Sequence, residues 1–331
     1  MWYQVLRPAL FALDPERAHN LALQALRAVG RRSLRTPIGT PVELMGLRFP
    51  NRVGLAAGFD KNAAAIEGLG SLGFGFIEVG TVTPRAQPGQ PRPRLFRLPA
   101  EGALINRLGF PNDGAAKVAA ALRHRRYRGI LGVNIGKNAA TPISRAIDDY
   151  VSCMRMVQRV ADYVAINVSS PNTAGLRELQ AREYLEPLLT ALLQERTKHS
   201  RSRERYLPLL VKIAPDLSIA EMQDIASLLM DLPVDGIIAT NTTMGRDGVI
   251  GAAGLQRGGI SGRPLHPLAL RTVTDLRAAL GPTFPIIGVG GIDTPRAANA
   301  MRSAGADLVQ IYTGLIYKGP SLISQCVRTL G

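Results

Sequence analysis

Cysteine is scarce in this chain of 331 residues, which contains only Cys153 and Cys326. Two cysteines are too few for a disulfide framework or a four-cysteine iron–sulfur site, and they favour a reducing compartment. Histidine is also scarce: the four histidines show no HxxxH spacing and no accompanying carboxylate cluster. We therefore expect no protein-bound metal. Aromatic residues make up only 5%, which argues against a large aromatic core.

Long hydrophobic runs are absent as well, since no apolar stretch approaches the ~18–20 residues that span a bilayer. Arg7 and Asp14 interrupt the apolar N-terminus, and no small-residue cleavage site follows, so we expect no secretory signal. The protein is thus expected to begin at Met1 and to stay inside the cell. Its 46% hydrophobic and 20% charged residues exclude a disordered or fibrous chain.

Acidic residues are too few to balance the basic ones, and the net charge is +15. The excess is concentrated in two segments, with +4 in residues 1–35 and +8 in residues 84–128. Such a field suits an anionic surface, either phospholipid or nucleic acid. A general preference for arginine in the genome is the alternative explanation.

The first 35 residues predict two amphipathic helices. Residues 14–16 (DPE) are typical of a helix start, with Asp at the N-cap, Pro in the first turn and an acid beside it. An apolar face with helical spacing follows, and Gly30 ends it. The segment before residue 14 is shorter and more hydrophobic, with an aromatic tip. This arginine-flanked hairpin suits a membrane surface, and helices that merely cap a barrel are the alternative.

From residue 50 onward, short apolar strand-like runs alternate with helical stretches. The predicted strands are 53–57, 76–79, 130–135, 163–168, 209–213, 236–240, 286–289 and 308–312, and the predicted helices are 61–69, 113–124, 144–160, 181–198, 219–231, 266–279 and 295–303. Eight such units predict an α/β fold of the (β/α)₈ TIM-barrel type, with a doubly wound open sheet as the alternative. Residues 92–106 interrupt the rhythm and predict an inserted hairpin. The expected division is an N-terminal helical segment 1–40 and a barrel 41–331.

One familiar motif is misleading here. Gly68, Gly70 and Gly73 match GxGxxG, but the match ends a predicted helix and precedes a strand. A dinucleotide-binding turn requires the opposite order, strand first and helix after. We therefore interpret the motif as a helix end followed by a turn.

The predicted strand ends carry neutral amides and lysines, and they lack histidine, cysteine and paired carboxylates. Asparagine offers both a donor and an acceptor, which suits a flat ring with alternating imide N–H and C=O groups. Lysine beside such a ring can hold a carboxylate or stabilise developing negative charge. Glycines at 288–291 and residues 312–314 follow the last two strands, where this fold commonly binds phosphate. Together these features predict a site for a phosphorylated planar heterocycle, and flavin mononucleotide (FMN) fits.

Ten segments resemble dihydroorotate dehydrogenase, in order and over essentially the whole chain. They are AAGFDKN (56–62), EVGTVTPRAQPGQPRPRLFRLP (78–99), INRLGFPNDG (105–114), NIGKN (134–138), INVSSPNTAGLR (166–177), VKIAPDL (211–217), ATNTT (239–243), GGISGRPL (258–265), GVGGI (288–292) and QIYTGLIYKGP (310–320). Ser170 stands where the soluble class 1 enzymes carry a catalytic cysteine, and the helical N-terminal extension is absent from class 1. The chain is therefore identified as a member of the quinone-dependent class 2, in a bacterial form without a mitochondrial targeting segment.

The resemblance implies oxidation of (S)-dihydroorotate to orotate in pyrimidine (UMP) biosynthesis, with one FMN per chain and a membrane quinone as electron acceptor. Ser170 is the implied base for the C5 proton, helped by a water chain near Thr or Asn side chains, and segment 170–180 is long enough to act as a lid. The implied substrate-binding residues are Lys61, Asn106, Arg107, Leu108, Gly109, Phe110, Asn167, Asn172, Asn241 and Thr242. The implied FMN-binding residues are Ala57, Gly58, Phe59, Asp60, Lys61, Thr81, Asn134, Asn167, Lys212, Thr240, Gly262, Gly291, Tyr312 and Thr313.

In the family, a quinone enters a tunnel between the N-terminal helices and the barrel, and His19 and Arg97 match tunnel positions. The resemblance thus implies a peripheral protein on the cytoplasmic face of the cell membrane, bound to anionic lipid. A monomer that does not bind nucleic acid is expected. The alternatives are a tRNA dihydrouridine synthase, which would carry a cysteine at position 170 and a C-terminal RNA-binding domain, and a non-enzymatic basic adaptor, which would leave the Asn and Lys set unexplained.

Overall fold

The computed structural model describes residues 2–30, 39–203, 206–249 and 252–331. Among them, the strands in chain order are β1 (Val42–Leu44), β2 (Leu47–Phe49), β3 (Val53–Leu55), β4 (Phe76–Val82), β5 (Leu95–Leu98), β6 (Ala103–Asn106), β7 (Ile130–Ile135), β8 (Tyr163–Asn167), β9 (Leu209–Ile213), β10 (Gly236–Ala239), β11 (Gly259–Gly262), β12 (Ile286–Val289) and β13 (Leu308–Ile311). Eight of these form a closed barrel in the order β10-β12-β13-β3-β4-β7-β8-β9, and every pair in it is parallel. The closed barrel confirms the (β/α)₈ prediction over the open sheet.

The α-helices among the described residues are α1 (Trp2–Ala12), α2 (Pro15–Gly30), α3 (Ile66–Gly70), α4 (Ala115–Arg123), α5 (Ala146–Val157), α6 (Arg182–Arg203), α7 (Ile219–Asp231), α8 (His266–Leu280), α9 (Pro295–Ser303), α10 (Thr313–Lys318) and α11 (Ser321–Leu330). Helices α10 and α11 were not predicted from the sequence. The prediction of a helix from residue 61 was wrong, because α3 begins only at Ile66. The Asp60 carboxylate accepts hydrogen bonds from the N–H groups of Ala64 and Ala65, which holds residues 60–65 in a turn.

The barrel strands are apolar because both of their faces are covered. All residues of β4, β8 and β9 are buried, as expected for parallel strands between a filled interior and a layer of helices. The hairpin β1–β2, which the sequence did not predict, closes the end of the barrel where the strands begin. Its Phe49 packs edge-on against Phe76 with ring centroids 5.3 Å apart.

The predicted insertion at 92–106 is a hairpin of β5 and β6. A third strand, β11, pairs antiparallel with β6, so that Gly259 lies opposite Asn106. This small sheet lies over the end of the barrel where the strands finish, since Leu95, Leu104 and Asn106 line the cleft there. The partner of β6 could not be predicted, because it comes about 150 residues later in the chain.

The GxGxxG segment has a packing role. Helix α3 ends at Gly70 and β4 begins at Phe76, which confirms the interpretation as a helix end and turn. A Cβ atom on Gly68 would lie 2.0 Å from the carbonyl oxygen of Leu26. Glycine at this position therefore lets α2 lie directly against α3.

Both predicted N-terminal helices are present, and polar contacts hold them on the barrel. Asp14 caps α2, since its carboxylate accepts from the N–H groups of residues 16 and 17. Tyr3, Gln4 and Arg7 of α1 donate to the carbonyls of residues 316–318, at the end of α10. No helix among residues 2–30, 39–203, 206–249 and 252–331 is long and apolar enough to cross a bilayer. Three basic residues of the N-terminal segment, Arg31, Arg32 and Arg35, lie outside the described residues.

Candidate active site

A single cleft at the carboxyl ends of the barrel strands gathers most of the predicted site residues. It encloses about 1030 Å³, including the part open to solvent. Its lining includes Ala57, Gly58, Lys61, Thr81, Asn106, Leu108, Gly109, Phe110, Asn167, Ser170, Asn172, Lys212, Thr240, Asn241, Thr242, Gly262, Gly291, Tyr312 and Thr313. In this fold, the loops at that end carry the chemistry. The resemblance therefore identified residues that are brought together from all parts of the chain.

Four of the predicted substrate- and FMN-binding residues do not line the cleft. Asp60 is buried and holds the turn before α3. Phe59 packs edge-on between the rings of His19 and Tyr312, at 5.1 and 5.6 Å. Arg107 donates to the carbonyl of Pro93 and to residues 256 and 257, away from the cleft. Asn134 is fully buried behind it. These residues support the lining or its loops.

Asn167 is the centre of a buried amide and hydroxyl network at the ends of β4, β7, β8 and β10. Its Nδ2 donates to Thr81 Oγ1 at 2.8 Å and to Asn134 Oδ1 at 3.1 Å. Its Oδ1 accepts from Asn241 Nδ2 at 3.3 Å and from the Ser169 hydroxyl at 3.1 Å. Because each group is oriented by another, the amides are held in fixed orientations before any ligand arrives.

A buried carboxylate that sequence reasoning missed lies beneath the cleft. Glu78 of β4 is 0% exposed and accepts from Asn134 Nδ2 at 2.9 Å, Tyr163 Oη at 3.0 Å and Gln310 Nε2 at 2.7 Å. Its Oε1 also lies 3.7 Å from Lys212 Nζ. A charged residue inside the apolar run 76–79 was the signal that could have identified it. Glu78 thus fixes the cation that lines the cleft.

Ser170 lies on the loop after β8, buried against the cleft. Its Oγ accepts from the N–H of Asn172 at 3.3 Å, and no other described residue forms a hydrogen bond with it. The Thr173 hydroxyl, three residues later, is buried and has no hydrogen-bond partner among the described residues. The sequence predicted a proton relay near Thr or Asn side chains, and Thr173 is therefore a candidate for it.

Lys61 brings positive charge to the opposite wall. Its Nζ donates to the carbonyl of Gly58 at 2.6 Å. Burial lowers the pKa of Lys61 to about 8, while the nearby carboxylates of Glu16 and Asp60 oppose that shift. Glu16 belongs to α2, so the N-terminal helices influence the charge of a lysine in the cleft.

The two predicted quinone-tunnel residues have different surroundings. His19 of α2 packs on Phe59, and burial, followed by the charge of Lys61, lowers its pKa to about 3, which keeps the imidazole neutral at ordinary pH. Arg97 of β5 instead donates to the carbonyls of Leu13, Phe11 and Leu10 at 2.8, 3.2 and 3.4 Å. The Arg97 guanidinium therefore satisfies the carbonyl end of α1.

The cleft has the donor set for a phosphorylated planar heterocycle. Lys61 and Lys212 supply cations, and the amides around Asn167 supply donors and acceptors for ring edges. Gln310 lines this cleft, and its buried Oε1 has no hydrogen-bond partner among the described residues, so an acceptor is left for a ligand N–H. Gly291 has φ +64° and lines the cleft beside Thr313, where backbone N–H groups can approach a phosphate.

Comparison with known proteins agrees with this geometry. Residues 40–331 match the family model of dihydroorotate dehydrogenase. A protein of Aromatoleum aromaticum named dihydroorotate dehydrogenase (quinone) is 53% identical over 99% of this chain and 95% of its own length. Its namesake in Leptothrix cholodnii is 52% identical over 99% of this chain and 98% of its own length. The crystal structure of DHODH from Eimeria tenella in complex with ferulenol superposes with a TM-score of 0.89, at 40% identity, over 96% of this chain and 90% of that one. The likeness in sequence and in fold extends over nearly the whole molecule, and the chain therefore belongs to the dihydroorotate dehydrogenase family.

Proposed function

We propose that the protein oxidises (S)-dihydroorotate to orotate and passes the electrons through FMN to a membrane quinone. The observation that carries the proposal is the position of Ser170, which faces a cleft whose other walls are two lysines and a preoriented amide network. A planar imide ring with a carboxylate is the substrate that such walls complement. The relatives named dihydroorotate dehydrogenase (quinone) support the same acceptor.

The chain's own residues divide the work of the reaction. Asn106, Asn172 and Asn241 offer amides to the pyrimidine edges, and Lys61 offers a cation to the carboxylate. Ser170 accepts the proton from C5, and the loss of its own proton is assisted from the direction of Thr173. Bound FMN would supply the acceptor for the hydride that leaves C6.

The residues proposed to hold FMN fall into two groups. Gly262, Gly291 and Thr313 would receive the phosphate, and Thr81, Asn167, Lys212 and Thr240 would contact the ring. Phe59, Asp60 and Asn134 would act one layer behind: Phe59 packs on Tyr312, Asp60 holds the 60–65 turn, and Asn134 belongs to the amide network. Arg107 would act on substrate binding only indirectly, because its hydrogen bond to the Pro93 carbonyl anchors the loop 107–110.

The absorption spectrum of the purified protein tests the proposal directly. We expect a flavin spectrum that bleaches when dihydroorotate is added without air and recovers when a short-chain quinone follows. Matched additions of orotate should shift the spectrum without bleaching it. A protein that neither retains nor takes up FMN, or whose flavin stays oxidised with dihydroorotate, would contradict the proposed function.

We further propose that segment 1–40 provides membrane contact and the quinone entrance, while 41–331 carries the chemistry. Of the eleven large hydrophobic residues that are exposed among the described ones, five lie on or between α1 and α2: Val5, Leu6, Leu13, Leu21 and Val29. A neutral His19 packed edge-on against Phe59, which contacts Tyr312 of the cleft, suits an apolar quinone path. The protein would thus be peripheral, on the cytoplasmic face of an anionic membrane.

A further inference from the structure

The loop after β8 is tied down by one arginine that no part of the proposed mechanism uses. This loop, 170–180, starts at the proposed base and ends in a short 3₁₀ turn, Leu176–Gln180. Arg177 lies within that turn. Its guanidinium makes three contacts, each to a different strand end of the barrel.

The first two contacts are to backbone groups beside the reacting residues. Arg177 Nε donates to the carbonyl of Ser169 at 3.2 Å, and Ser169 immediately precedes Ser170. Arg177 Nη2 donates to the carbonyl of Thr242 at 2.9 Å, and Thr242 lines the substrate side of the cleft. One planar group therefore sets the separation between the end of β8, which carries the base, and the end of β10, which carries substrate contacts.

The third contact anchors the guanidinium itself. Arg177 Nη1 lies 2.7 Å from Asp216 Oδ2, on the loop after β9. The same carboxylate accepts from the Thr243 hydroxyl and from the N–H of Met244, at 3.1 Å for the latter. Asp216 is thus held by the β10 end, and it holds the arginine over the gap between β8 and β10.

We propose that Arg177 is a positioning residue, which keeps Ser170 at the distance from the substrate that C5 proton transfer requires. This inference rests on the proposed function. Proton transfer is sensitive to such placement, because a shift of about 1 Å between reacting groups costs on the order of 10²-fold in rate. Lysine cannot replace arginine here, since a single ammonium point charge cannot reproduce three donors fixed in one plane.

Arg177→Lys and Arg177→Gln test the proposal, with Arg182→Gln as the matched control. Arg182 is close in the chain and pairs with two acids, Glu186 and Asp231, but it does not line the cleft. We expect anaerobic flavin reduction by dihydroorotate to slow by roughly 10-fold in Arg177→Lys and 10²-fold in Arg177→Gln. The control should keep the wild-type rate. Asp216→Asn, which weakens the anchor but leaves the guanidinium, should give an intermediate loss.

Isotope effects separate positioning from general damage. Deuterium at C5 of the substrate should slow the Arg177 variants more than it slows the wild type, while the effect of deuterium at C6 should not rise in parallel. Amide hydrogen exchange in 170–180 should be faster in Arg177→Lys than in the wild type, and this readout does not depend on turnover. If Arg177→Gln does not fold, the flavin reduction rates and hydrogen exchange of Arg177→Lys and Asp216→Asn test the proposal.

Wild-type rates and exchange in Arg177→Lys would overturn the positioning role, as would equal slowing in Arg182→Gln. A slowed Arg177 variant with an unchanged C5 isotope effect would also contradict it. Failure of the proposed function looks different, because the wild-type flavin would then not bleach with dihydroorotate at all.

Discussion

The hydroxyl of Ser170 is poorly placed to act alone, because among the described residues it forms a hydrogen bond only with the N–H of Asn172. A serine is a very weak base, so its contribution depends on removal of its own proton as it accepts one from C5. We predict that Ser170→Ala retains FMN and reduces it ~10²–10⁴-fold more slowly with dihydroorotate. Stopped-flow absorbance under argon measures this, with the exposed Ser324→Ala as control. A Ser170→Ala protein whose flavin bleaches at the normal rate would exclude Ser170 as the base.

Lys212 and Glu78 form a buried ion pair, and we expect the two side chains to have different roles. We predict that Lys212→Ala loses FMN or reduces it slowly, and also lowers the melting temperature, because Glu78 is then buried without its cation. Adding Glu78→Gln to Lys212→Ala should restore much of the melting temperature and none of the flavin reduction. Calorimetry and flavin content measure the two effects separately. Equal recovery of both in the double variant would show that Lys212 has only a structural role.

If Lys61 binds the substrate carboxylate as proposed, substrate binding should depend on pH. Its pKa in the free protein is about 8, so the ammonium group that can bind a carboxylate is lost as the pH rises above that value. We predict that the dissociation constant of orotate, followed by the flavin spectrum, rises by up to about tenfold per pH unit above 8. Glu16→Gln should move the onset to lower pH, because Glu16 favours the charged lysine. Lys61→Met should bind weakly with no such onset, and an onset that persists in Lys61→Met would assign it to another group.

The same shift affects stability, and its sign follows from proton binding. Between pH 8 and 10.5 the unfolded chain holds a proton on Lys61 that the folded protein has released. Stability contributed by this group therefore rises with pH across that window.

At the scale of elements, the close contact between α2 and α3 requires glycine at position 68, which has a hydrogen atom in place of a Cβ. We predict that Gly68→Ala lowers stability by about 1–3 kcal/mol, because the new methyl would lie 2.0 Å from the Leu26 carbonyl oxygen. Displacement of α2 should slow quinone reduction more than flavin reduction by dihydroorotate. Gly73→Ala is the control for backbone strain alone, since alanine is unfavourable at its φ of +101° but the new atom would have nothing within 4 Å. It should lower stability without slowing quinone reduction, and equal quinone rates in the two variants would show that the approach of α2 to α3 is unimportant.

The barrel strands could be predicted closely, because a buried parallel strand is a continuous apolar run bounded by turn residues. The predicted strand 130–135, for instance, has the observed bounds Ile130–Ile135. Hydrogen bonds between side chains and the backbone could not be predicted in the same way. The bonds that the Asp60 carboxylate accepts from residues 64 and 65 delay the start of α3, and no sequence pattern indicated them. The cis peptide bonds before Thr81 and Thr240 likewise correspond to no sequence pattern.

Within the site, resemblance identified residues but not their surroundings. It assigned Asn134 to FMN but did not indicate that Asn134 Nδ2 donates to Glu78, which no motif had assigned a role. It matched Arg97 to the tunnel but did not indicate that Arg97 donates to carbonyls at the end of α1. Both contacts join segments far apart in the chain, and a local pattern carries no information about them.

At the scale of the whole molecule, the exposed apolar residues of the N-terminal helices should govern membrane binding. We predict that Val5→Glu combined with Leu6→Glu weakens binding to anionic vesicles by 10²-fold or more, since each buried aliphatic side chain contributes about 1.5–3 kcal/mol. Flavin reduction by dihydroorotate should not change. Ile219→Glu is the matched control, because Ile219 on α7 is 69% exposed and Val5 is 78% exposed. Vesicle flotation measures the binding, and equal flotation of all three proteins would contradict the membrane role of α1.

The contact between Tyr3 and Ile316 joins residues 313 positions apart. Ribosomes add roughly 5–20 residues per second, so α1 emerges on the order of 15–60 seconds before α10 exists to receive it. Strand β3 likewise waits for β13 before the barrel can close. During translation, α1 with its exposed Val5 and Leu6 is therefore available to a bilayer or a chaperone before its own barrel can bind it.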